Sequence, residues 1–440
     1  MSRRKRLPVE PAIVTIESLS HEGRGIARVD GKTTFVDEGL PGEELEIQFT
    51  RMHPRYAEAK ILNVLKPSPE RISPPCRFYS ICGGCSFQHV DNEFQIQHKQ
   101  HTLLEQLRHS AGVTLEIIIP PLTGPTLGYR RRARLGVKYV DKKQKLLVGF
   151  REKRSPYVAD IDHCVVLHPS VGNLIEPLHQ LLSGLTVYRE VPQLEVAVSD
   201  AVTALVIRHL APFVDKDLEL LRQFEKDHDI VFYLQPGGYD TVHLLSPERN
   251  VELVYSLPDF GLSLRFEPAD FIQVNADINQ AMIKRAIELL DPQADDEVLD
   301  LFCGLGNFSL PLAGKCRQVN AVEGDSGLIK RARQNAERNR ISNVTYIAAD
   351  LAKEQLDAEF MQKHYARILI DPPRVGANEI IKQLDFSGTE RIVYVSCNPA
   401  TLARDAGYLI KHCGFHLQQA GVMDMFPHTT HVESIALFVR

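Results

Sequence analysis

The hydrophobic pattern near the start of the chain predicts a small β domain. Apolar and polar positions alternate in short runs, such as 12–19, 44–49 and 56–64. A further run at 25–36 is interrupted by the pair Asp30-Gly31, which is typical of a tight hairpin turn. Alternation with a period of two indicates strands. Four or five short strands in about 60 residues predict a small β-barrel of the oligonucleotide-binding type.

The pattern then changes to a helix and back to strands. Residues 91–111 follow a helical pattern, and Gly112 is expected to end it. Prolines at 67–69 and 74–75 mark a linker before this helix. Short strand patterns return from Tyr129 to about residue 260, and we interpret this stretch as a central α+β domain.

A third pattern begins after about residue 270, where short apolar runs alternate with helical stretches such as 328–338. The predicted strands lie at 298–302, 319–322, 344–348, 368–370, 391–395 and 435–439. Strands that alternate with helices are typical of a mostly parallel sheet wrapped by helices. The sequence therefore predicts a multidomain α/β protein with a Rossmann-like C-terminal domain.

Composition excludes several classes of protein. The chain has 440 residues, of which 44% are hydrophobic and 24% charged, so it can build about two to four folded domains. It has no run of 18 apolar residues and no apolar signal core, so we expect a cytoplasmic protein with no membrane span. In a reducing cytoplasm its eight cysteines are expected to be ligands, nucleophiles or packing residues rather than disulfides.

A glycine-rich turn at 302–308 follows the first strand of the C-terminal pattern. Its glycines let the backbone approach a ligand closely, although a tight strand-to-helix turn uses glycines as well. Three later strands are followed by carboxylates, namely Glu323, Asp350 and Asp371. At the carboxyl edge of a parallel sheet, Glu323 can accept hydrogen bonds from ribose hydroxyls and Asp350 one from an adenine amino group. Because no lysine-containing phosphate cradle is present, S-adenosylmethionine fits better than ATP or a dinucleotide.

A second group of reactive residues lies towards the end of the chain. Cys397 follows the strand at 391–395 and precedes an expected helix start, where the helix dipole can stabilise a thiolate. Asp371 and Arg374 follow the neighbouring strand, and Glu433 precedes the final strand. Each residue alone has a plain alternative, a buried cysteine or a solvated strand end. A thiol, a carboxylate and a cofactor site that converge on one sheet edge favour an enzyme.

Four cysteines form a candidate metal site. Three have C-x5-C-x2-C spacing and the fourth lies 79 positions further on (164 − 85): Cys76, Cys82, Cys85 and Cys164. Four thiolates can hold either zinc or an iron–sulfur cluster, and spacing alone slightly favours structural zinc. Cys303, Cys316 and Cys413 have no partner pattern and are interpreted as packing residues.

Residues 130–154 are strongly basic. Eleven Lys and Arg against two acidic residues give +9, although the whole chain carries −5. Such a run is usually a solvated face, yet aromatic residues interleave with it: Tyr129, Tyr139, Phe150 and Tyr157. Charge neutralisation combined with stacking is how looped RNA is bound. The predicted RNA-binding residues are Arg130, Arg131, Arg132 and Arg134, and the basic tail at 3–6 is expected to add a loose contact.

Together these motifs resemble the RNA uracil-5-methyltransferase family, in particular its bacterial branch that acts on 23S rRNA. The resemblance covers nearly the whole chain. It is carried by the N-terminal β domain, which is similar to a TRAM domain, by the cysteine cluster, and by the segments 129–134, 271–275, 301–308, 370–374, 396–405 and 426–433. One departure is Pro373, where relatives often have alanine, and it leaves Asp371 and Arg374 in place.

The resemblance implies a reaction and the residues that perform it. Cys397 is expected to add to carbon 6 of a uracil, and Glu433 to remove the carbon-5 proton after methylation. The positions that match cofactor contacts in the family are Gln273, Phe302, Asn307, Glu323, Asp350 and Asp371. The matching cysteines hold a [4Fe–4S] cluster in the family, which reverses the preference for zinc. The target uridine of 23S rRNA is expected to flip out of its stack.

The resemblance also divides the chain into three parts. Residues 1–68 are expected to form a TRAM-like barrel that binds RNA, 69–90 with 123–265 a central iron–sulfur domain, and 91–122 with 266–440 the methyltransferase domain. Rival hypotheses are an enzyme that acts on another rRNA uridine or on tRNA, and a non-catalytic iron–sulfur RNA-binding protein. A methyltransferase for proteins or small molecules does not explain the barrel and the basic stretch.

Overall fold

The chain forms two compact units. The structure is a computed structural model that describes residues 10–115, 117–354 and 358–440, so the basic tail at 3–6 lies outside the described residues. One unit comprises Met1–Lys99 with Pro427–His431, and the other Gln100–Phe426 with Val432–Arg440. The predicted division into three parts stays a prediction.

The first unit contains a six-stranded sheet. Its strands are β1 (Ala12–Thr15), β2 (Ser18–Leu19), β3 (Gly25–Val29), β4 (Lys32–Asp37), β5 (Glu44–Met52) and β6 (Tyr56–Lys66). The order is β1-β5-β6-β4-β3-β2. Asp30 and Gly31 have φ angles of 51° and 76°, as the predicted hairpin turn requires. Within the described residues no ladder joins the end strands β1 and β2. The β domain is therefore confirmed, and its closure into a barrel stays a prediction.

A buried ion pair fixes the proline-rich segment to this sheet. Glu43 is fully buried, and its carboxylate accepts hydrogen bonds from the N–H groups of Leu40 and Ser68. The Arg71 guanidinium pairs with both carboxylate oxygens of Glu43 at 2.5 and 2.7 Å. Such a bidentate pair is among the stronger polar contacts, so it holds residues 68–71 in place.

The helix predicted at 91–111 is present. Helix α1 (Asn92–Gln106) continues into a π-helical turn, Leu107–Ala111. Gly112 ends it with a φ angle of 73°, and its N–H donates to Leu107 O. A positive φ is favourable for glycine, which explains the stop. The short strand β7 (Ile117–Ile118) follows.

The second unit contains a six-stranded sheet built from the predicted central strands. Its elements are β8 (Arg132–Val140), β9 (Lys145–Gly149), α2 (Pro169–Gly172), α3 (Ile175–Ser183), β10 (Gln193–Val198), β11 (Thr203–Arg208), α4 (Asp215–His228), β12 (Ile230–Gln235) and β13 (His243–Leu244), and the strand order is β13-β12-β11-β10-β8-β9. Helices α3 and α4 were not predicted. Helix α4 is strongly charged and buries few apolar side chains, mainly Leu221 and Phe224, so its apolar stripe is short.

The second unit also contains an eight-stranded sheet, which follows the hairpin β14 (Leu253–Leu257) and β15 (Leu262–Phe266). Its elements are α5 (Ala276–Leu290), β16 (Glu297–Leu301), α6 (Ser309–Ala313), β17 (Gln318–Glu323), α7 (Ser326–Arg338), β18 (Val344–Ala348), β19 (Arg367–Ile370), α8 (Asn378–Ile381), β20 (Arg391–Ser396), α9 (Pro399–Cys413), β21 (His416–Met423) and β22 (Glu433–Val439). The order is β18-β17-β16-β19-β20-β22-β21-β7. All six predicted strands are confirmed, and β21 and β7 are additions.

Strand direction explains where the site lies. Strands β16 to β20 are parallel to one another, so their carboxyl ends share one edge of the sheet. Strand β22 is antiparallel to β20 and places Ser434 opposite Ser396, so the first residue of β22 also lies at that edge. The apolar face beneath it is a core of Leu, Ile, Val and Met side chains from the sheet and α5. No helix in the described ranges is long and apolar enough to cross a membrane.

Candidate active site

The glycine-rich turn is held tightly against the neighbouring strand. Phe302, Gly304 and Gly306 have φ angles of 66°, 55° and 92°, so the chain reverses sharply after β16. The N–H groups of Phe302 and Cys303 donate to Val322 O at 2.8 and 3.1 Å. The φ angle of Gly306 favours glycine, and a Cβ there would also lie only 3.2 Å from the Tyr346 hydroxyl oxygen.

Glu323 is tied directly to this turn. One carboxylate oxygen accepts the N–H of Gly304 at 3.2 Å, and the other accepts the N–H of Asp325 at 3.0 Å. The side chain is half-buried at the end of β17, where parallel sheets offer a ligand crevice. The structure therefore brings the predicted turn and the predicted ribose carboxylate together.

Asn307 belongs to a polar network that was not predicted. Its amide and that of Asn279 on α5 exchange hydrogen bonds at 2.8 and 3.1 Å, and the Tyr255 hydroxyl donates to Asn307 Oδ1 at 3.1 Å. The available signal in the sequence was the position of Asn279 one helical turn after Asn275, whose side chain caps α5. The network fixes the orientation of the Asn307 amide.

Two buried polar atoms lie beneath the turn without partners among the described residues. They are Asp300 Oδ1 and the Tyr346 hydroxyl. Asp300 is fully buried and accepts a hydrogen bond from Ser309, and burial raises its pKa to about 7. Buried polar groups are normally satisfied, so these two indicate a place for a polar ligand or water. Asp300 was not among the predicted site residues.

The carboxylates at the sheet edge differ in their surroundings. Asp350 is exposed and pairs with Lys353 at 2.9 Å, and this hydrogen bond lowers the pKa of its carboxyl. Asp371 follows β19, and desolvation, followed by the charges of Glu433 and Asp300, raises its pKa to about 8. Asp371 is therefore largely protonated near neutral pH, and it can donate a hydrogen bond.

Cys397 and Glu433 lie together at the same edge. They follow and precede the paired residues Ser396 and Ser434, and both side chains are half-buried. Burial, then the charges of Glu433 and Asp371, raises the pKa of Cys397 to about 11, whereas Arg374 lowers it. These electrostatic effects require a thiol, two carboxyl groups and one cation in close proximity. Chemically, such a set can supply a nucleophile, a base and a hydrogen-bond donor.

Gln273 lies half-buried on a loop that is anchored by several contacts. The N–H of Arg131 donates to Val274 O at 2.8 Å, and the Arg132 guanidinium donates to Pro268 O. Further along the loop, Asp270 pairs with Arg331. Arg132 thus makes a structural contact to this loop, which the prediction of an RNA contact did not foresee.

The other predicted RNA-binding arginines also have partners within the unit. Arg130 lies over the Phe150 ring at 5.3 Å, and Arg131 pairs with Asp200 at 2.7 Å. Arg134 pairs with Glu195 at 3.1 Å, yet its side chain keeps 60% of its surface exposed. Of the interleaved aromatic residues, Tyr129 is buried and Tyr157 is 71% exposed. Arg134 is therefore the exposed one of the four predicted RNA-binding arginines, and Tyr157 is the exposed one of the four aromatic residues.

The cysteines of the candidate cluster occupy loops. Cys76, Cys82 and Cys85 lie in the first unit, where the N–H of Gly84 donates to Cys82 Sγ at 3.4 Å. Cys164 lies in the second unit. Among the described residues, no group of three or more His, Cys, Asp or Glu side chains is arranged as metal ligands. The ligand set is therefore still a prediction.

The remaining cysteines occupy packing positions. Cys303 and Cys316 are buried in the core of the eight-stranded sheet, and burial raises the pKa of both thiols. Cys413 is half-buried at the end of α9. The burial of Cys303 and Cys316 agrees with the packing role predicted for them, and the role of Cys413 stays a prediction.

Comparison with known proteins identifies the family. The family model for tRNA (uracil-5-)-methyltransferases matches residues 92–440, and a TRAM domain model matches residues 10–62. The chain belongs to the uracil-5-methyltransferase family. It is similar to the 23S rRNA (uracil(1939)-C(5))-methyltransferase RlmD of Hahella chejuensis, with 51% identity over 100% of this chain and 99% of the relative. RlmD of Alkalilimnicola ehrlichii is 49% identical to it over 100% of this chain and 98% of the relative.

A solved structure supports the fold. The tRNA (uracil-54, C5)-methyltransferase of Pyrococcus abyssi, in complex with S-adenosyl-L-homocysteine, superposes with a TM-score of 0.73. The match covers 97% of this chain and 99% of that chain, at 23% sequence identity. The methyltransferase fold and the N-terminal TRAM domain predicted from the sequence are thus confirmed.

Proposed function

We propose that the chain transfers a methyl group from S-adenosylmethionine to carbon 5 of a uridine in 23S rRNA and forms 5-methyluridine. The observation that carries this proposal is the proximity of Cys397 and Glu433 on the sheet edge that also holds the turn at 302–308. Relatives of that named activity are 51% and 49% identical to the whole chain. We propose a cytoplasmic location, because the proposed substrate is ribosomal RNA.

The chemistry follows from the nature of uracil, whose carbon 5 is a poor nucleophile. The Cys397 thiolate forms a bond to carbon 6, and the electrons of the carbon 5–carbon 6 double bond become an enolate. With the cofactor bound, carbon 5 of this enolate would take its methyl group, and the cofactor sulfur would leave with the electrons of the broken carbon–sulfur bond. Glu433 removes the remaining proton from carbon 5, the bond to Cys397 breaks, and the double bond forms again. Asp371, protonated near neutral pH, can donate a hydrogen bond to a uracil oxygen or to the cofactor.

S-adenosylmethionine, when bound, supplies the electrophilic methyl group. The chain fits such a ligand for two reasons. The turn allows a ligand to approach the backbone closely, and two buried polar atoms, Asp300 Oδ1 and the Tyr346 hydroxyl, have no hydrogen-bond partner among the described residues. The residues proposed to hold it are Gln273, Phe302, Asn307, Glu323, Asp350 and Asp371. Asn307 is already oriented by its amide pair with Asn279, so little ordering is needed on binding.

Two variants test the assigned roles. Cys397→Ala is expected to transfer no methyl group to 23S rRNA, whereas Cys413→Ala, the matched control, retains activity. Glu433→Gln is expected to methylate and then stall, so a covalent protein–RNA adduct accumulates on a denaturing gel. Residual turnover of Cys397→Ala at the wild-type rate would remove Cys397 as the nucleophile. Normal product release by Glu433→Gln would show that another group acts as the base.

We also propose that Cys76, Cys82, Cys85 and Cys164 hold a [4Fe–4S] cluster. Cysteine thiolates are the usual ligands of such clusters, and the N–H of Gly84 that donates to Cys82 Sγ can stabilise a thiolate. Anaerobically purified protein is expected to contain iron and acid-labile sulfide. Cys82→Ser should lose both, and Cys413→Ser should keep them. Stoichiometric zinc without iron would contradict the proposal.

The RNA is proposed to contact the exposed part of the basic stretch. Arg134 offers an accessible guanidinium, and Tyr157 lies on a turn closed by the N–H of Glu152, which donates to Tyr157 O at 2.9 Å. An exposed ring on an ordered turn can stack on a base. The target uridine must leave its stack, because Cys397 is half-buried at the sheet edge.

A further inference from the structure

The loop that carries Arg374 is fastened to helix α9 by side chains. Asn398 Nδ2 donates to Arg374 O at 3.1 Å, and the Thr401 hydroxyl oxygen lies 3.4 Å from the same carbonyl oxygen. The Arg404 guanidinium donates to Val375 O at 2.9 Å. Helix α9 begins two residues after Cys397, so these contacts connect the loop to the element that presents the thiol.

Asp405 lies at the centre of this arrangement. It is fully buried, and its Oδ2 accepts the N–H of Ala377 at 2.8 Å and the hydroxyl of Tyr394 at 2.7 Å. Its Oδ1 pairs with Arg404 at 2.7 Å. A buried carboxylate is expensive unless it is paired and hydrogen-bonded, and here three partners satisfy it. Asp405 therefore fixes the loop at Ala377 directly, and it fixes the loop at Val375 through Arg404.

The fit of the loop leaves no room for adjustment. Gly376 has a φ angle of 81°, and a Cβ there would lie 2.5 Å from Arg404 Nη2 and 2.7 Å from Asp405 Oδ2. The backbone thus lies directly against the Asp405–Arg404 pair. A close-packed segment cannot shift by a small amount without losing its contacts. Loss of the Asp405–Arg404 pair should therefore displace the whole loop.

We propose that Asp405, together with Arg404, is a positioning residue that holds Arg374 beside Cys397 and so sets the reactivity of the nucleophile. This inference rests on the proposed role of Cys397. The groups that act on the thiol come from three elements: Glu433 from β22, Asp371 from the end of β19, and Arg374 from the loop. Arg374 is the only one of them whose charge favours the thiolate. The position of the Arg374 guanidinium therefore matters most for forming the Cys397 thiolate.

The test measures the thiol separately from the methyl transfer. Iodoacetamide alkylation of Cys397 is followed by mass spectrometry of its peptide between pH 7 and 10, in the full-length protein. Asp405→Asn is expected to alkylate about 3- to 10-fold more slowly at pH 8, since a tenfold change in thiolate corresponds to one pKa unit. The rate of methyl transfer should fall about 10- to 100-fold, because a catalytic group that is misplaced by about 1 Å can reduce a rate by that much. Loss of a negative charge alone would act in the opposite direction and speed alkylation.

Two comparisons make the result decisive. Asp217→Asn is the matched control, because Asp217 is also fully buried and accepts the N–H and hydroxyl of Thr186, yet lies on α4. It should lower stability and leave Cys397 alkylation unchanged. Arg374→Ala should reproduce the slow alkylation, and the double variant with Asp405→Asn should add nothing.

Contrary outcomes would separate the two proposals. Equal alkylation in Asp405→Asn and wild type, or additive effects in the double variant, would overturn the positioning role. If Cys397→Ala still methylates RNA while Asp405→Asn alters alkylation as expected, the positioning holds and the proposed role of the nucleophile fails.

Discussion

The electrostatics of Cys397 lead to a sharp prediction about its reactivity. Burial, Glu433 and Asp371 raise the pKa of the thiol to about 11. At pH 8 such a group is thiolate in only about one molecule in a thousand, against about a quarter for an unperturbed cysteine. Alkylation of Cys397 in the ligand-free protein should therefore be more than about 100-fold slower than that of an exposed cysteine.

Glu433→Gln removes one of the negative charges that disfavour the thiolate. We expect iodoacetamide alkylation of Cys397 at pH 8 to become about 3- to 30-fold faster, which corresponds to about 0.5 to 1.5 pKa units. The gain stays below 100-fold because burial, the largest cause of the shift, remains. Asp371 also ionises more readily once Glu433 is neutral, and this offsets part of the gain.

The assay follows the Cys397 peptide by mass spectrometry over time. Cys413 provides an internal control in the same digest, because its pKa is raised by burial and lowered by Arg440, with no contribution from Glu433. Its alkylation rate should not change. An unchanged rate at Cys397 in the variant would refute the inference that the carboxylate acts on the thiol.

Three further predictions address stability and RNA binding. The pKa of Asp300 is raised from 3.8 to about 7, so its contribution to stability is complete below about pH 4 and is lost as the pH rises through 7. Asp300→Asn should flatten that decline in the free energy of unfolding, measured with urea. Arg71→Ala should cost about 3–5 kcal/mol in the same assay, because it leaves Glu43 buried without its charge partner. Tyr157→Ala should weaken RNA binding about 5- to 150-fold if a base stacks there (about 1–3 kcal/mol), whereas Tyr157→Phe, which keeps the ring, should not.

Each of these has a clear contrary result. A pH profile of Asp300→Asn parallel to that of the wild type would show that the carboxyl titrates normally. If Arg71→Ala lowered the free energy of unfolding by less than about 1 kcal/mol, water would have to reach the Glu43 carboxylate. Equal affinities of the two tyrosine variants would place RNA contact elsewhere.

The sheet and its cofactor edge were predictable because they depend on local patterns. Short apolar runs separated by helices require a parallel sheet, and Glu323 and Asp371 follow such runs directly. Cys397 was found in the same way. Glu433 was singled out by its position before the final strand, but its role as the base needed the family resemblance. The antiparallel register of β22 against β20 is what brings it to the same edge.

Long-range contacts were not predictable from one sequence. The amide pair of Asn307 with Asn279 and the hydrogen bonds of Asp405 join residues that no local pattern relates. The basic stretch shows the limit of a charge count, which does not distinguish Arg132, which contacts a loop, from the exposed Arg134. Burial decides which charges can reach RNA, and burial depends on the whole fold.

The central claim is methylation of one uridine in 23S rRNA, and mapping 5-methyluridine in RNA tests it most directly. Both 23S rRNA and tRNA are mapped from a strain that lacks this gene and from strains complemented with wild type or Cys397→Ala. The account predicts that one 5-methyluridine disappears from 23S rRNA, returns with the wild type, and does not return with Cys397→Ala. Intact 23S rRNA modification together with a 5-methyluridine missing from tRNA would contradict it.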